Sequence, residues 1–187
     1  PREWLTKDGW RLFAGRYSID DQRIVDLISE LDAGGWEVGL HGSYESPMDP
    51  ERLAVEKRAV ERVLGKSIVG GRQHYLNLSV PETWQHHSSI GLKYDTSLGS
   101  SDSYGFDNGY SIKRPFDDDF VVFPSTSLAL ALPIVQTDLA TPSRDCETFL
   151  NASAETPALM PFLWPPRFFR PHAFPTYPYL SRLLSPH

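Results

Sequence analysis

Glu37-Val38-Gly39-Leu40-His41-Gly42-Ser43-Tyr44 sets a short apolar run against a histidine, a glycine and two hydroxyl side chains. A buried parallel strand that runs out into polar, ligand-capable residues is how barrel-like α/β enzymes build a site at the C-terminal rim of their sheet. Ser67-Ile68-Val69-Gly70-Gly71-Arg72-Gln73-His74-Tyr75 repeats the pattern about one βα unit later, and Gly91-Leu92-Lys93-Tyr94-Asp95 gives a third, shorter version. Three such endings predict one shared pocket.

The segments around these runs read as helices. Residues 20–31 place Ile24, Val25, Leu27, Ile28 and Leu31 on one helical stripe, with Ser18 or Asp20 as the cap and Gly34 as the stop. A second helix is signalled by Asp49 as cap, Pro50 at the first helical position, the apolar set Leu53, Ala54, Val60, Val63 and Leu64, and Gly65 just past the end. A weaker third helix starts near Ser79 and stops at Gly91. Strands are expected at 36–40, at 68–69 and in the run into 94–95. The order αβαβαβ, with short apolar strands rather than in-and-out alternation, predicts an α/β fold with a mostly parallel sheet covered by helices. Further on, 100–109 reads as a long loop, 120–123 and 128–135 as β-like, and 143–150 as a short helix. Residues 158–164 read as a last strand whose Pro161 suits an edge or bulge, and 177–184 as a closing helix.

Size and composition bound what such a fold does. The 187 residues suffice for one core but fall short of the roughly 250 of a complete eight-unit barrel, so a single domain over 1–187 is expected. The chain opens on Pro1, and residues 2–10 carry neither a clear strand nor an apolar signal-peptide core, so an N-terminal piece is expected to be missing. A net charge of -6 argues against nucleic acid as a partner, because counterion displacement from phosphates needs a basic face. Cys146 is the single cysteine, which excludes an internal disulfide and a thiolate zinc cluster, fits a reducing cytoplasmic compartment, and leaves any metal to histidine and carboxylate. No apolar stretch approaches the roughly 20 residues that cross a bilayer, so no membrane segment is expected.

Within the strand endings, His41 and Glu45 stand four residues apart, an interval that brings both to one metal ion if the chain turns helically there. The alternative is a hydrogen-bonded histidine at a strand end and a solvated carboxylate. Arg72 and His74 share one side of an extended segment, where an arginine orients a carboxylate or holds an oxyanion and a histidine moves protons near neutral pH. A salt-bridged arginine and a structural histidine is the competing reading. Asp95 is either a carboxylate partner of Arg72 or His74, or a cap of the following turn. His86 and His87 fall inside the third helix and read as surface residues. Trp84, Trp164 and the Phe168-Phe169 pair read as core, with sugar stacking as the alternative.

With these residues in view, the chain resembles the polysaccharide deacetylase family, and within it a divergent prokaryotic branch. The resemblance is carried by Glu37-Val38-Gly39-Leu40-His41-Gly42-Ser43-Tyr44, by Gly71-Arg72-Gln73-His74-Tyr75-Leu76, and by Tyr94-Asp95-Thr96-Ser97-Leu98-Gly99 followed by Gly105-Phe106-Asp107-Asn108-Gly109. The tail Leu163-Trp164-Pro165-Pro166-Arg167-Phe168-Phe169 extends it. It implies a distorted, incomplete (β/α) barrel and a hydrolase that removes acetyl groups from carbohydrates with a divalent metal, zinc foremost. It places His41 at the first position of the family's H-x-x-x-H metal segment and Glu45 where the second histidine would be. Arg72 falls on the family's R-x-P arginine, which implies that it orients a catalytic carboxylate, while His74 replaces the proline. The late L-x-H segment, whose histidine is the general acid, corresponds to Leu163-Trp164-Pro165, with proline in the histidine's place. His74 or His172 would compensate for that loss, and Asp95 would support the ligands from behind. The first motif, with the metal aspartate and the general base, would lie upstream of Pro1. These departures leave a second reading, a non-catalytic carbohydrate-binding or scaffold protein that kept the fold.

Overall fold

The computed structural model describes residues 18–99, 108–109, 111–125, 127–128 and 161–163. The helices expected at 143–150 and 177–184, most of the 100–109 loop, the strand residues past 128, and Cys146, Trp164, Pro165, Phe168, Phe169 and His172 lie outside the described residues.

Helix α1, Gln22–Ala33, is capped by Asp21, whose carboxylate accepts from the Arg23 backbone N–H at 3.0 Å. Neither Ser18 nor Asp20 is the cap; the Asp20 carboxylate instead pairs with Arg62 of the next helix. Helix α2, Pro50–Leu64, has both ends where the sequence puts them, with Asp49 accepting from the Arg52 N–H at 2.9 Å and Gly65 ending it. Helix α3, Glu82–Ser89, begins three residues after Ser79, and Ser79 still organises its entry. The Ser79 N–H donates to Thr83 Oγ1 at 3.0 Å, and its hydroxyl donates to Glu82 at 3.1 Å.

Strands β1 (Leu40–Gly42), β2 (Gly70–Gln73), β3 (Tyr94–Asp95) and β4 (Val121–Val122) form a parallel sheet in sequential order. Strands β5 (Ser127–Leu128) and β6 (Phe162–Leu163) form a separate parallel pair. Crossovers through α2 and α3, each returning to the adjacent position, wind the sheet as a barrel wall is wound, and among the described residues the sheet stays open.

The ladder begins later than the apolar runs suggest: 36–39 and 68–69 precede the paired residues rather than forming them. Close approach explains the offset. A Cβ on Gly70 would lie 2.1 Å from the Tyr94 ring, and one on Gly42 would lie 2.4 Å from the Gln73 amide. The strands therefore meet over glycine, a residue that weakens a strand signal in sequence while marking where another chain comes near.

Alternation along the strands divides the sheet into two faces. Leu40 and Val122 point toward the helices and join Leu53, Ile68, Trp84, Leu92 and Phe120 in the buried core, with Val60, Leu64, Leu78 and Ile90 packed at its edge. His41 and Arg72, paired directly in register, occupy the other face.

Candidate functional site

All four parallel strands end at one rim, so the residues leaving β1, β2 and β3 are neighbours there. His41 sits in β1 opposite Arg72 of β2. His41 Nε2 lies 3.0 Å from Nδ1 of His74, the first residue past β2, and the two rings meet edge to face with centroids 5.2 Å apart. His74 opens a single 3₁₀ turn, His74–Leu76, in which Tyr75 and Leu76 hold φ values of 56° and 55°. That left-handed backbone is costly for residues with a Cβ, about 1–2 kcal/mol each, and persists only where the surroundings enforce it. The enforcing contacts are visible: Tyr75 packs edge-on against His74 at 4.5 Å and against Tyr44 at 6.2 Å, and the Asn77 side-chain amide donates to the Tyr44 carbonyl at 2.7 Å. Tyr44 and Tyr75 are 60% and 66% exposed, so the two loops present an aromatic wall to solvent beside the histidines.

Arg72 Nε donates to Thr96 Oγ1 at 2.8 Å and to the Thr96 carbonyl at 3.1 Å, which fixes the guanidinium stem against the β3 exit. Burial draws the Arg72 pKa down, against the opposing pull of Asp95 and Tyr94. His41 is held below the ordinary histidine value, first by partial desolvation and then by the charges of His74 and Arg72, which favour the neutral imidazole. On the same face the Tyr94 hydroxyl donates to Glu37 at 2.5 Å, and Tyr94 packs edge-on against Phe123 at 5.3 Å. Burial, and then the Glu37 carboxylate, push the Tyr94 phenol pKa up, so it stays a protonated donor.

Two of the expected site residues stand apart from this group. The chain after β1 makes tight turns closed by Ser46 N–H to the Ser43 carbonyl (3.1 Å) and Asp49 N–H to the Ser46 carbonyl (3.0 Å), not the helical turn that a His41–Glu45 pair requires. Glu45, its side chain 75% exposed, is ion-paired with Arg52 at 2.6 Å. Asp95 pairs in register with Gly71, so it faces the helices while Arg72 faces the rim, and the convergence expected of His41, Arg72 and Asp95 on one side does not occur. Asp95 is fully buried. Its Oδ1 accepts from Trp84 Nε1 at 3.2 Å and from the Ser97 N–H at 2.8 Å, and its Oδ2 accepts from the Ser97 hydroxyl at 2.6 Å. The Ser97 contact is the turn cap that the sequence offered as the alternative.

The sequence also misplaced His87. It is fully buried rather than on the surface, with Nδ1 3.2 Å from Asp95 Oδ2, at an angle that falls short of a hydrogen bond. Its Nε2 lies 2.8 Å from the Gln73 amide nitrogen, which donates to it and so leaves the ring proton on Nδ1, toward Asp95. The Gln73 amide oxygen is 3.3 Å from the Ser46 hydroxyl, and the Gln73 N–H donates to Ser97 Oγ at 2.9 Å. This buried chain of polar groups pins Gln73, the residue directly before His74. Thr83, Trp84 and His87, spaced three and four apart, form the inward stripe that would have revealed it. His86, by contrast, is part-buried and has Nδ1 3.0 Å from the Pro47 carbonyl.

Among the described residues no three of His, Cys, Asp or Glu are grouped to hold a metal ion, and no helix is long and apolar enough to cross a membrane. No family model matches the chain, and no curated protein matches it. In structure the chain is similar to a crystal structure described as a probable polysaccharide deacetylase from Pseudomonas aeruginosa PAO1, at 17% sequence identity and a TM-score of 0.50. The similarity covers 87% of this chain and 56% of that one, so the chain spans little more than half the length of its structural neighbour. At that identity the likeness establishes the fold alone, an α/β architecture, built among the described residues on a parallel four-stranded sheet that does not close.

Proposed function

We propose that the rim carrying His41, Arg72 and His74 is a carbohydrate-directed hydrolytic site that removes acetyl groups from a sugar with the help of a divalent metal ion. The observation that carries the reading is the contact of His41 with His74 beside Arg72, at the strand ends of a fold shared with a probable polysaccharide deacetylase. The donor chemistry suits the ion: imidazole nitrogen is a ligand for zinc and its neighbours, and the environment of His41 favours the neutral, ligating ring. A bound divalent ion would supply Lewis acidity, polarising the acetyl carbonyl and acidifying water. Arg72, anchored on Thr96, would stabilise negative charge on the acetyl oxygen, a role for which a fixed guanidinium loses little entropy. Tyr44 and Tyr75 would stack on the apolar face of a pyranose ring. Asp95 would act only from behind, by holding the ends of β2 and β3.

The test is acetate release from acetylated oligosaccharides by the purified protein with Zn²⁺, Co²⁺ or Mn²⁺. Release that falls at least about tenfold in Arg72→Gln supports the proposal, and no release with any of the three ions overturns it. The second reading, a carbohydrate-binding protein without turnover, draws on the exposed Tyr44–Tyr75 wall together with the Arg52 pairing of Glu45. Oligosaccharide binding that ignores chelators and survives His41→Ala would favour it.

A further inference from the structure

We infer that His41 and His74 together form the metal-holding pair, with His74 taking the place that spacing gives to Glu45, and that the ion is a divalent transition metal of the zinc class. The inference deepens the proposed hydrolytic site and rests on that reading for its location at the rim.

The geometry favours this pair over the local one. His41 Nε2 and His74 Nδ1 are 3.0 Å apart. Zinc binds imidazole nitrogen at about 2.0–2.1 Å, so two such ligands at a tetrahedral angle stand about 3.3 Å apart, a few tenths of an ångström from the observed separation. As a hydrogen bond the pair needs one ring to donate, whereas around a cation both nitrogens act as acceptors. Binding would exchange the His–His contact for two coordination bonds, the nitrogens staying at nearly their present separation while each ring turns its lone pair from its neighbour toward the ion.

The scaffold on each side is built rather than loose. His41 is held by the β1–β2 ladder in register with Arg72. His74 is held between the buried side chain of Gln73 and a left-handed Tyr75, and Asn77 ties its loop to the carbonyl of Tyr44. Glu45 is engaged elsewhere, on Arg52 at 2.6 Å. Arg72 brings positive charge close to the pair, but its Nε is turned onto Thr96, and an anionic ligand oxygen on the ion would offset the repulsion. A two-imidazole donor set selects zinc, copper, nickel and cobalt over magnesium and calcium, which prefer oxygen.

The test uses the whole chain and the metal alone. Calorimetric titration with Zn²⁺ should give a site whose affinity drops at least about tenfold in His41→Ala and again in His74→Ala, and changes less than about twofold in Glu45→Gln. Pulsed EPR of the Cu²⁺ form should show two equivalent imidazole couplings in the parent protein and one in His74→Ala. Loss of affinity in Glu45→Gln with His74→Ala unaffected would overturn the assignment, as would a parent Cu²⁺ spectrum with fewer than two imidazoles. That spectrum needs no variant, so a substitution that unfolds the chain does not shield the idea. The two readings also fail separately. Two-imidazole coupling without acetate release would uphold the pair and sink the proposed reaction, whereas metal-stimulated acetate release that His74→Ala leaves unchanged would sink the pair alone.

Discussion

Asp95→Asn is the substitution that most directly interrogates the buried network behind the rim. In the parent, three hydrogen bonds reach the carboxylate, from Trp84 Nε1 and the Ser97 N–H to Oδ1 and from the Ser97 hydroxyl to Oδ2, while His87 Nδ1 stands 3.2 Å from Oδ2 without making a fourth. An asparagine oxygen in the Oδ1 position keeps the first two. Its amide nitrogen then faces the Ser97 hydroxyl and the His87 ring, leaving the hydroxyl without its acceptor, and the expected loss is about 1–3 kcal/mol. Asp95→Ala strands all three donors and should cost about 3–5 kcal/mol, since each buried donor left unsatisfied costs about 1–3 kcal/mol. Against a total stability of about 5–15 kcal/mol either loss is large. Urea unfolding followed by tryptophan fluorescence reads it directly: with a slope of about 1–3 kcal/mol per molar, the Asp95→Asn midpoint should fall by about 1 M. A double-mutant cycle with His87→Leu should return a coupling above about 1 kcal/mol, because the two side chains share the site. An Asp95→Asn midpoint within about 0.2 M of the parent would refute the network as a source of stability.

Three further outcomes follow from the same geometry. Gly70→Ala places a Cβ against the Tyr94 ring at 2.1 Å, so the ring must leave its Glu37 and Phe123 contacts; chemical denaturation should show a loss of about 1–3 kcal/mol, and a change near zero would reject the strand packing. Tyr75→Gly relieves the left-handed backbone and should leave unfolding stability equal or raised, whereas Tyr75→Val should lower it by about 1 kcal/mol or more; equal effects of the two would deny the strain. His41 should titrate below the usual value near 6.5 in NMR chemical-shift measurements and move up in Arg72→Gln, since the guanidinium is one of the groups opposing its protonation. Because the folded-state value is depressed, the unfolded chain takes the proton first as pH falls through about 6.5. His41 therefore contributes stability above that pH and loses it below, until the folded ring itself protonates.

Local chemistry was legible in the sequence where it acts alone. The ends of α2 follow from Asp49, Pro50 and Gly65 because a cap, a fixed φ and a stop need no distant partner. The alternation of helix and strand, and hence the parallel sheet, follows from hydrophobic spacing. Strand position was harder to read. The apolar runs at 36–40 and 68–69 look more like strands than Gly70-Gly71 does, yet the ladder forms where Tyr94 and Gln73 need room, which is a fact about neighbouring strands. Period-two alternation put Arg72 and His74 on one side, but it could not say whether Asp95, one strand over, faced the rim or the helices. That choice is set by register, Gly71 opposite Asp95, and by the donors waiting on the helix side.

The same distinction separates Glu45 from His74 as a companion for His41. Four residues in sequence suggest a shared helical face, but the chain after β1 turns too tightly to make one, and Arg52 at the head of α2 captures the carboxylate. His74 is 33 positions away and reaches His41 because parallel pairing puts the exit of β2 beside β1, and because the Gln73–His87–Asp95 chain holds that exit in place. Softening the chain at His87 should therefore widen the distribution of His41–His74 geometries as well as lower stability. Copper bound to His87→Leu would then show broadened imidazole couplings even though neither coordinating ring was altered. Couplings as sharp as the parent's would mean that the rim keeps its shape without the buried support.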